Sequence, residues 1–401
     1  MPSKIFDHII IGAGVIGLAV ARTLRHLRPD ASILILDKEP DVGAHSSGRN
    51  SGVLHAGFYY TADSLKARFT VQGSRSIREF CRVKNIPVNR CGKLVVAMDE
   101  AEVQLLNELE HRGQRNGSNV RLIDAAEARE YEPGVATYKK ALYSPDTASV
   151  DPLDILVALK DDLMNAGVEF VFEARFIHHQ GETVITNQGE FKGGKIINCA
   201  GLYADQVARD YGFGKAYTMI PFKGLYLKYA KNKTDVTMNV YPVPNLKNPF
   251  LGVHFTKTVD GTIKIGPTAI PAFWRENYAL THRFNAGELL EILGEEARLF
   301  MGNNFGFRDL ALEEMRKYDR AYFINLAQKL VPGIDPGGFG EFTRPGIRAQ
   351  LLDKHRRTLV QDFVVEGDRT SIHILNAVSP AFTCAFPFAD FVCREYVLKG
   401  E

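Results

Sequence analysis

The chain has 401 residues, too many for one ordinary domain, and its 45% apolar and 24% charged residues can build a sizeable core. A net charge of +2 gives no electrostatic case for nucleic acid, and no run is long and apolar enough to span a bilayer. Five dispersed cysteines with no metal spacing point to reduced thiols and to no metal site.

The chain opens with Phe6-Asp7-His8-Ile9-Ile10-Ile11, which reads as a strand. Gly12-Ala13-Gly14-Val15-Ile16-Gly17 follows, then a helical pattern through Leu18, Ala19, Ala21 and Leu24, then a second strand, Ile33–Leu36, ending in Asp37. Strand, glycine turn, helix, strand and acid make a dinucleotide-binding unit, and the twenty residues from Gly17 to Asp37 suit a carboxylate that accepts from ribose hydroxyls. Gly12 permits the tight turn, Gly14 lets backbone amides approach a diphosphate, and Gly17 lets the helix pack on the sheet. The diphosphate then faces the Val15 and Ile16 amides at the positive end of the helix. A donor-rich loop, His45 to Gly57, comes next, and a helix begins near Ser64.

Further along, Lys93–Ala97 reads as a strand, while 100–115, 124–131 and 151–166 read as helices. Val168–Phe172 and Lys195–Gly201 read as strands returning to the first sheet. Residues 215–272 are strand-rich, with turn pairs such as Asp260-Gly261, and 285–330 are helical. Ser371–Leu375 is a strand, followed by a loop and a last apolar helix. The expected fold class combines α/β and α+β. A discontinuous Rossmann-like domain (1–80, 145–212 and 340–401) carries an inserted substrate domain of mixed sheet and helices (81–144 and 213–339).

A nucleotide strand at one end of the chain and a closing strand and helix at the other resemble the FAD-dependent D-amino-acid oxidase superfamily. Within it, the stretches 45–60, 64–69, 91–97, 241–267, 346–350 and 375–383 resemble the L-2-hydroxyglutarate dehydrogenases. The resemblance implies oxidation of a small dicarboxylate 2-hydroxy acid, L-2-hydroxyglutarate, to 2-oxoglutarate by hydride transfer to FAD. Electrons would pass on to a quinone or an electron-transfer protein. The alternatives are an amino-acid oxidase or glycerol-3-phosphate dehydrogenase of the same superfamily, or a flavin-free scaffold that kept the fold. Some relatives attach FAD through a histidine; neither His45 nor His55 aligns with that position, so non-covalent FAD is expected.

Such a reaction needs a base, cations for two carboxylates and a flavin. His55, at the end of the donor loop, is the first choice of base, and His254 competes for the role. Arg348 is the carboxylate clamp, because its planar fork binds a carboxylate through two bonds. Lys223, Tyr60 and Tyr241 are weaker candidates for the distal carboxylate. Besides the glycine turn, the cofactor site is expected to take Asp37, Lys38, His45, Ser46, Ser47, Arg49, Asn50, Ser51 and Gly52. Ala174, Arg175 and Phe176 would hold the adenine by their backbone, with Ala200 and Gly201 ending a strand beside the cofactor. Ser379, Pro380, Ala381 and Thr383 would open the last helix toward the flavin.

The stretch Leu299-Phe300-Met301 with Phe305-Gly306-Phe307 either makes a peripheral membrane contact or packs in the core, and the core reading is preferred. No targeting pattern precedes the first strand. The expected location is therefore cytoplasmic, peripheral on the inner membrane, or mitochondrial after loss of a presequence.

Overall fold

The run Ile5–Ile11 forms the middle of a sheet in the computed structural model, which describes residues 4–244 and 250–399. Residues 245–249, part of the stretch 241–267 that carries the family resemblance, lie outside the described residues. Ile9 and Ile10 are fully buried, as a strand covered on both faces requires. The strand runs parallel to Ile33–Leu36 on one side and to the long strand Gly189–Asn198 on the other. The far edge of Gly189–Asn198 is shared: Thr183–Thr186 pairs with its start and Ser371–Asn376 with its end. Glu169–Val171 completes the sheet beside Ile33–Leu36. Both strands expected to return to the first sheet do so.

The chain divides into two units. The first comprises 1–49, 152–221 and 348–401; the second comprises 50–151 and 222–347. Residues 145–151 and 340–347, expected with the nucleotide domain, fall in the second unit, and 213–221, expected with the substrate domain, fall in the first; the largest difference is 50–80, expected with the nucleotide domain and found in the second unit. The reason is local. Val53–Leu54 pairs with Ala148–Val150, Asn116 Nδ2 donates to the Gly57 and Tyr60 carbonyls at 2.9 Å, and Ser118 Oγ donates to the Ala56 carbonyl at 2.5 Å. These bonds fasten the loop to the C-terminal end of the helix Glu100–Arg115 and to the turn that closes it.

In the first unit, the helix Val15–Leu27 lies against the sheet and packs on the C-terminal helix Ala381–Val392. Leu18, Val20 and Leu24 from the first helix, and Ala385, Phe388 and Val392 from the last, are buried. The second unit is built on an eight-stranded mixed sheet. Its centre runs Ile263–Gly266, His254–Lys257, Asn239–Pro242, Lys93–Val96, Lys140–Ser144. Side chains alternate across it. Leu94, Val96, Val240 and Phe255 face one core with Phe323 and Ile324. Val95, Ala97 and Tyr241 face another with Phe58, Leu106 and Leu109. Asp260-Gly261 makes the predicted turn, with Gly261 at φ +78°. The expected helical segment resolves into Ala286–Gly302, Phe307–Arg316 and Arg320–Gln328.

In that segment Leu299 and Phe307 are buried, but Phe300 (38% exposed), Met301 (74%) and Phe305 (39%) are not. The core reading of the whole stretch is therefore corrected: the helix Ala286–Gly302 buries one stripe, and Phe300 and Met301 fall off it. Among the described residues no helix is long and apolar enough to cross a membrane.

Candidate active site

The glycine turn is compelled by its surroundings. Gly12 has φ +110°, and a Cβ there would sit 2.4 Å from the Cys199 carbonyl oxygen. A Cβ on Gly17 would sit 1.9 Å from the Gly12 carbonyl oxygen, so the first turn of the helix lies directly on the glycine turn. Gly14 caps the helix with no side-chain bond, and the first turn carries no acid to repel an anion. The Val15 amide donates to Ser47 Oγ at 3.0 Å, so the donor loop reaches the helix end. A helix N-terminus bared by glycine, with a hydroxyl alongside, fits the diphosphate of a dinucleotide. Cys199 is buried, and burial pushes its thiol pKa up, which leaves it a core thiol rather than a nucleophile.

Asp37 has a second task not legible from spacing. Its Oδ2 accepts from the Ala13 amide at 2.7 Å and its Oδ1 from the Glu39 amide at 2.9 Å. It clamps the glycine turn, and a ribose hydroxyl would share oxygens already in use. Burial raises its pKa, and the two amide bonds oppose the rise. Glu39, missed from the sequence, is buried beside it and pairs with Lys38 and with His45, whose Nε2 lies 2.8 Å from Oε1. In the segment expected to hold the adenine, the Ala174 amide donates to the Asp37 carbonyl at 2.8 Å, and the Arg175 amide to Asn187 Oδ1 at 2.5 Å. Phe176 starts a strand and stacks on Tyr211. Arg49 Nε donates to the Ala44 carbonyl at 2.6 Å, and the Ala200 amide to Asn198 Oδ1 at 3.1 Å, leading into the short 3-10 turn at Gly201–Tyr203. All of these belong to the first unit, with Ser46 and the C-terminal Ser379, Pro380, Ala381 and Thr383. Pro380 caps the last helix without a side-chain bond, which leaves the helix-end amides to other acceptors.

Asn50, Ser51 and Gly52 open the second unit, where Asn50 Oδ1 accepts from the Gly52 amide at 2.9 Å and Ser51 Oγ from the Val53 amide at 3.4 Å. His55 follows, 9% exposed. His254 stacks on Tyr241 with ring centroids 3.6 Å apart. Its Nδ1 lies 2.7 Å from the Gly252 carbonyl oxygen, which can only accept. Nδ1 therefore carries the proton, and in the neutral ring Nε2 is left as an acceptor. Burial lowers the His254 pKa to about 3; the Gly252 bond opposes this, and Lys93 and Lys317 add to it.

Lys93 was not singled out from the sequence, because a lysine opening a strand reads as a surface charge. It is fully buried, its Nζ 4.0 Å from the centroid of Tyr241 and 5.4 Å from that of Tyr59, and burial lowers its pKa to about 7. Lys223 Nζ donates to Asn277 Oδ1 at 3.4 Å, and burial lowers its pKa. Tyr60 is half-buried in the loop held by Asn116. The second unit thus brings Tyr241 and His254 into contact. Arg348 lies in the first unit, half-buried on the strand Gly346–Asp353.

The family model for FAD-dependent oxidoreductases matches residues 7–394. The chain is 34% identical over 394 residues to L-2-hydroxyglutarate dehydrogenase of Escherichia coli strain K12, covering 96% of this chain and 92% of that protein. It is 34% identical over 427 residues to the mitochondrial L-2-hydroxyglutarate dehydrogenase of Homo sapiens, covering 99% and 89%. Among solved structures, the FAD-bound, dithionite-reduced L-α-glycerophosphate oxidase of Mycoplasma pneumoniae superposes with a TM-score of 0.76 at 21% identity, covering 99% of this chain and 97% of that one. Glycine oxidase of Geobacillus kaustophilus gives 0.71 at 17%, covering 99% of each. The likeness to these structures establishes the fold.

Proposed function

The chain belongs to the FAD-dependent oxidoreductase family, and from that premise we propose that it oxidises L-2-hydroxyglutarate to 2-oxoglutarate. The observation that carries the reading is that relatives named for this activity align across both units, nearly end to end. Residues of the first unit fit the cofactor: Gly12, Gly14 and Gly17 with the Val15 and Ile16 amides for the diphosphate, and Ala174–Phe176 for the adenine. Bound FAD supplies the acceptor for the hydride equivalent that leaves the carbinol carbon.

The chain must then take the hydroxyl proton and hold two carboxylates. We assign the proton to His254 Nε2. The Gly252 carbonyl fixes the tautomer that presents a lone pair there. His55, buried in the donor loop, is the second candidate. Arg348 is assigned to the carboxylate beside the reacting carbon.

Turnover with an artificial acceptor tests the substrate class. L-2-Hydroxyglutarate is expected to be oxidised, while glycine, L-proline and glycerol-3-phosphate are not. Preference for an amine or a phosphate ester would overturn the reading.

The natural acceptor is a quinone or an electron-transfer protein, met at a membrane surface. Support comes from the helical segment of the second unit, where Leu290 and Met301 (each 74% exposed), Phe284 (56%) and Leu312 (55%) stand with Arg298 and Arg308 in the same stretch. Co-sedimentation with anionic vesicles is expected and should weaken in Leu290→Ser/Met301→Ser. A protein that stays in the supernatant contradicts the membrane contact without touching the chemistry.

A further inference from the structure

Buried lysines in this protein find acceptors. Lys257 Nζ donates to the Val236 carbonyl at 2.6 Å, Lys195 to the Val397 carbonyl, and Lys317 pairs with Glu314. Lys93 does not follow them. Its Nζ is buried and has no hydrogen-bond partner among the described residues. The neighbours that could have served it are engaged elsewhere. Directly across one strand, Asn239 spends its amide on the Gly92 carbonyl at 2.9 Å and on Cys91 Sγ at 3.2 Å, and its carbonyl accepts from the Lys257 amide at 2.9 Å. Directly across the other, Ser144 Oγ lies 3.0 Å from Thr147 Oγ1. The Tyr59 hydroxyl, on a ring whose centroid lies 5.4 Å from Nζ, is also buried and also has no hydrogen-bond partner among the described residues. An ammonium and a hydroxyl left unsatisfied together are costly in a protein interior, and such a pair indicates an acceptor that the polypeptide does not supply. The rings of Phe58, Tyr59 and Tyr241 around Nζ offset part of the cost but accept no hydrogen bond of ordinary strength.

The position also selects which acceptor. Lys93 Nζ is 4.0 Å from the Tyr241 centroid, and the His254 ring is stacked 3.6 Å from the same centroid. At these separations the two cannot share one face, so Tyr241 is sandwiched between them. Lys93 Nζ therefore stands within about 7.6 Å of the centre of the ring assigned to the hydroxyl proton, on the other side of Tyr241. In L-2-hydroxyglutarate, one carboxylate is bonded to the reacting carbon, while the carbon of the other is three carbon–carbon bonds away, roughly 3.9 Å when extended. We infer that Lys93, with the Tyr59 hydroxyl, receives the distal carboxylate of the substrate and so makes this site select diacids over monoacids. This rests on the proposed 2-hydroxy-acid chemistry and extends it to a residue that fixes specificity.

The test compares L-2-hydroxyglutarate with L-2-hydroxyvalerate, which keeps the reacting end and replaces the distal carboxylate by a methyl group. The native holoenzyme should favour the diacid in kcat/KM. In Lys93→Met, the diacid should lose about 10- to 100-fold, chiefly through KM, while the monoacid changes by less than about 3-fold. Lys93→Arg, which keeps the charge, should recover part of the preference. Thermal unfolding of the flavin-loaded protein gives a reading independent of turnover. A lysine kept for a ligand is a burden on the fold, so Lys93→Met should melt at or above the native temperature. An unchanged diacid-to-monoacid ratio in Lys93→Met, or a lower melting temperature with both substrates impaired alike, would overturn the inference. Failure of the native holoenzyme to oxidise either hydroxy acid would instead overturn the proposed function.

Discussion

His254 illustrates how a single carbonyl can prepare a side chain for proton transfer. The Gly252 oxygen takes the Nδ1 proton, burial keeps the ring neutral, and the stacked Tyr241 holds its plane. Replacing it by glutamine should therefore lower kcat by about 100-fold or more while flavin content is kept. Steady-state kinetics on His254→Gln and His55→Ala, each with its flavin absorbance measured, checks this. Normal turnover in His254→Gln with loss in His55→Ala would transfer the role to His55. Arg348→Met should act differently, raising KM by about 10-fold or more through loss of a charge-assisted bond of about 1.5–3 kcal/mol. A KM that does not move would free Arg348 from the carboxylate. Both histidines and Arg348 were candidates from the sequence because of the residue types that the proposed chemistry needs. Lys93 was not a candidate. Its significance is burial without an acceptor, and that depends on what Asn239 and Ser144 do with their own side chains.

The N-terminal strand, glycine turn and helix were the most legible elements, since a Cβ at Gly12 or Gly17 would collide with backbone and the pattern admits few alternatives. The carboxylate at the end of Ile33–Leu36 was legible as a position but not as a clamp. Because Asp37 accepts from both the Ala13 and Glu39 amides, Asp37→Asn should turn one acceptor into a donor facing a donor and loosen the turn. FAD affinity should fall by about 10-fold or more, measured by fluorescence titration of the apoprotein. Unchanged affinity would reduce the clamp to decoration. Two features escaped the pattern. The hairpin Phe176–Gln180 with Thr183–Thr186 carries His178, His179 and Gln180, which hide its alternation. Residues 50–80 continue from the nucleotide loop without a break in composition, yet the bonds from Asn116 and Ser118 fasten them to the second unit.

Across the whole molecule, the same burial that tunes the site makes stability depend on pH. His254 is held at a pKa of about 3 and His373 at about 4, both chiefly by burial, against an ordinary value near 6.5. Between these values the unfolded chain binds protons that the folded chain does not, so stability falls as pH drops through that window and is intact above it. Each group contributes about 1.4 kcal/mol per pH unit there. The melting temperature should therefore drop from pH 7 to pH 5, and the drop should be smaller in His254→Gln. An identical drop in the variant would show that His254 is not held neutral.

The central claim, that the chain oxidises an L-2-hydroxy diacid with FAD as acceptor, is tested most directly by anaerobic mixing of the flavin-loaded protein with each enantiomer of 2-hydroxyglutarate. The L form should bleach the oxidised flavin absorbance, with 2-oxoglutarate formed in equal amount, and the D form should leave the spectrum unchanged. Bleaching by neither enantiomer, or by D alone, would contradict it.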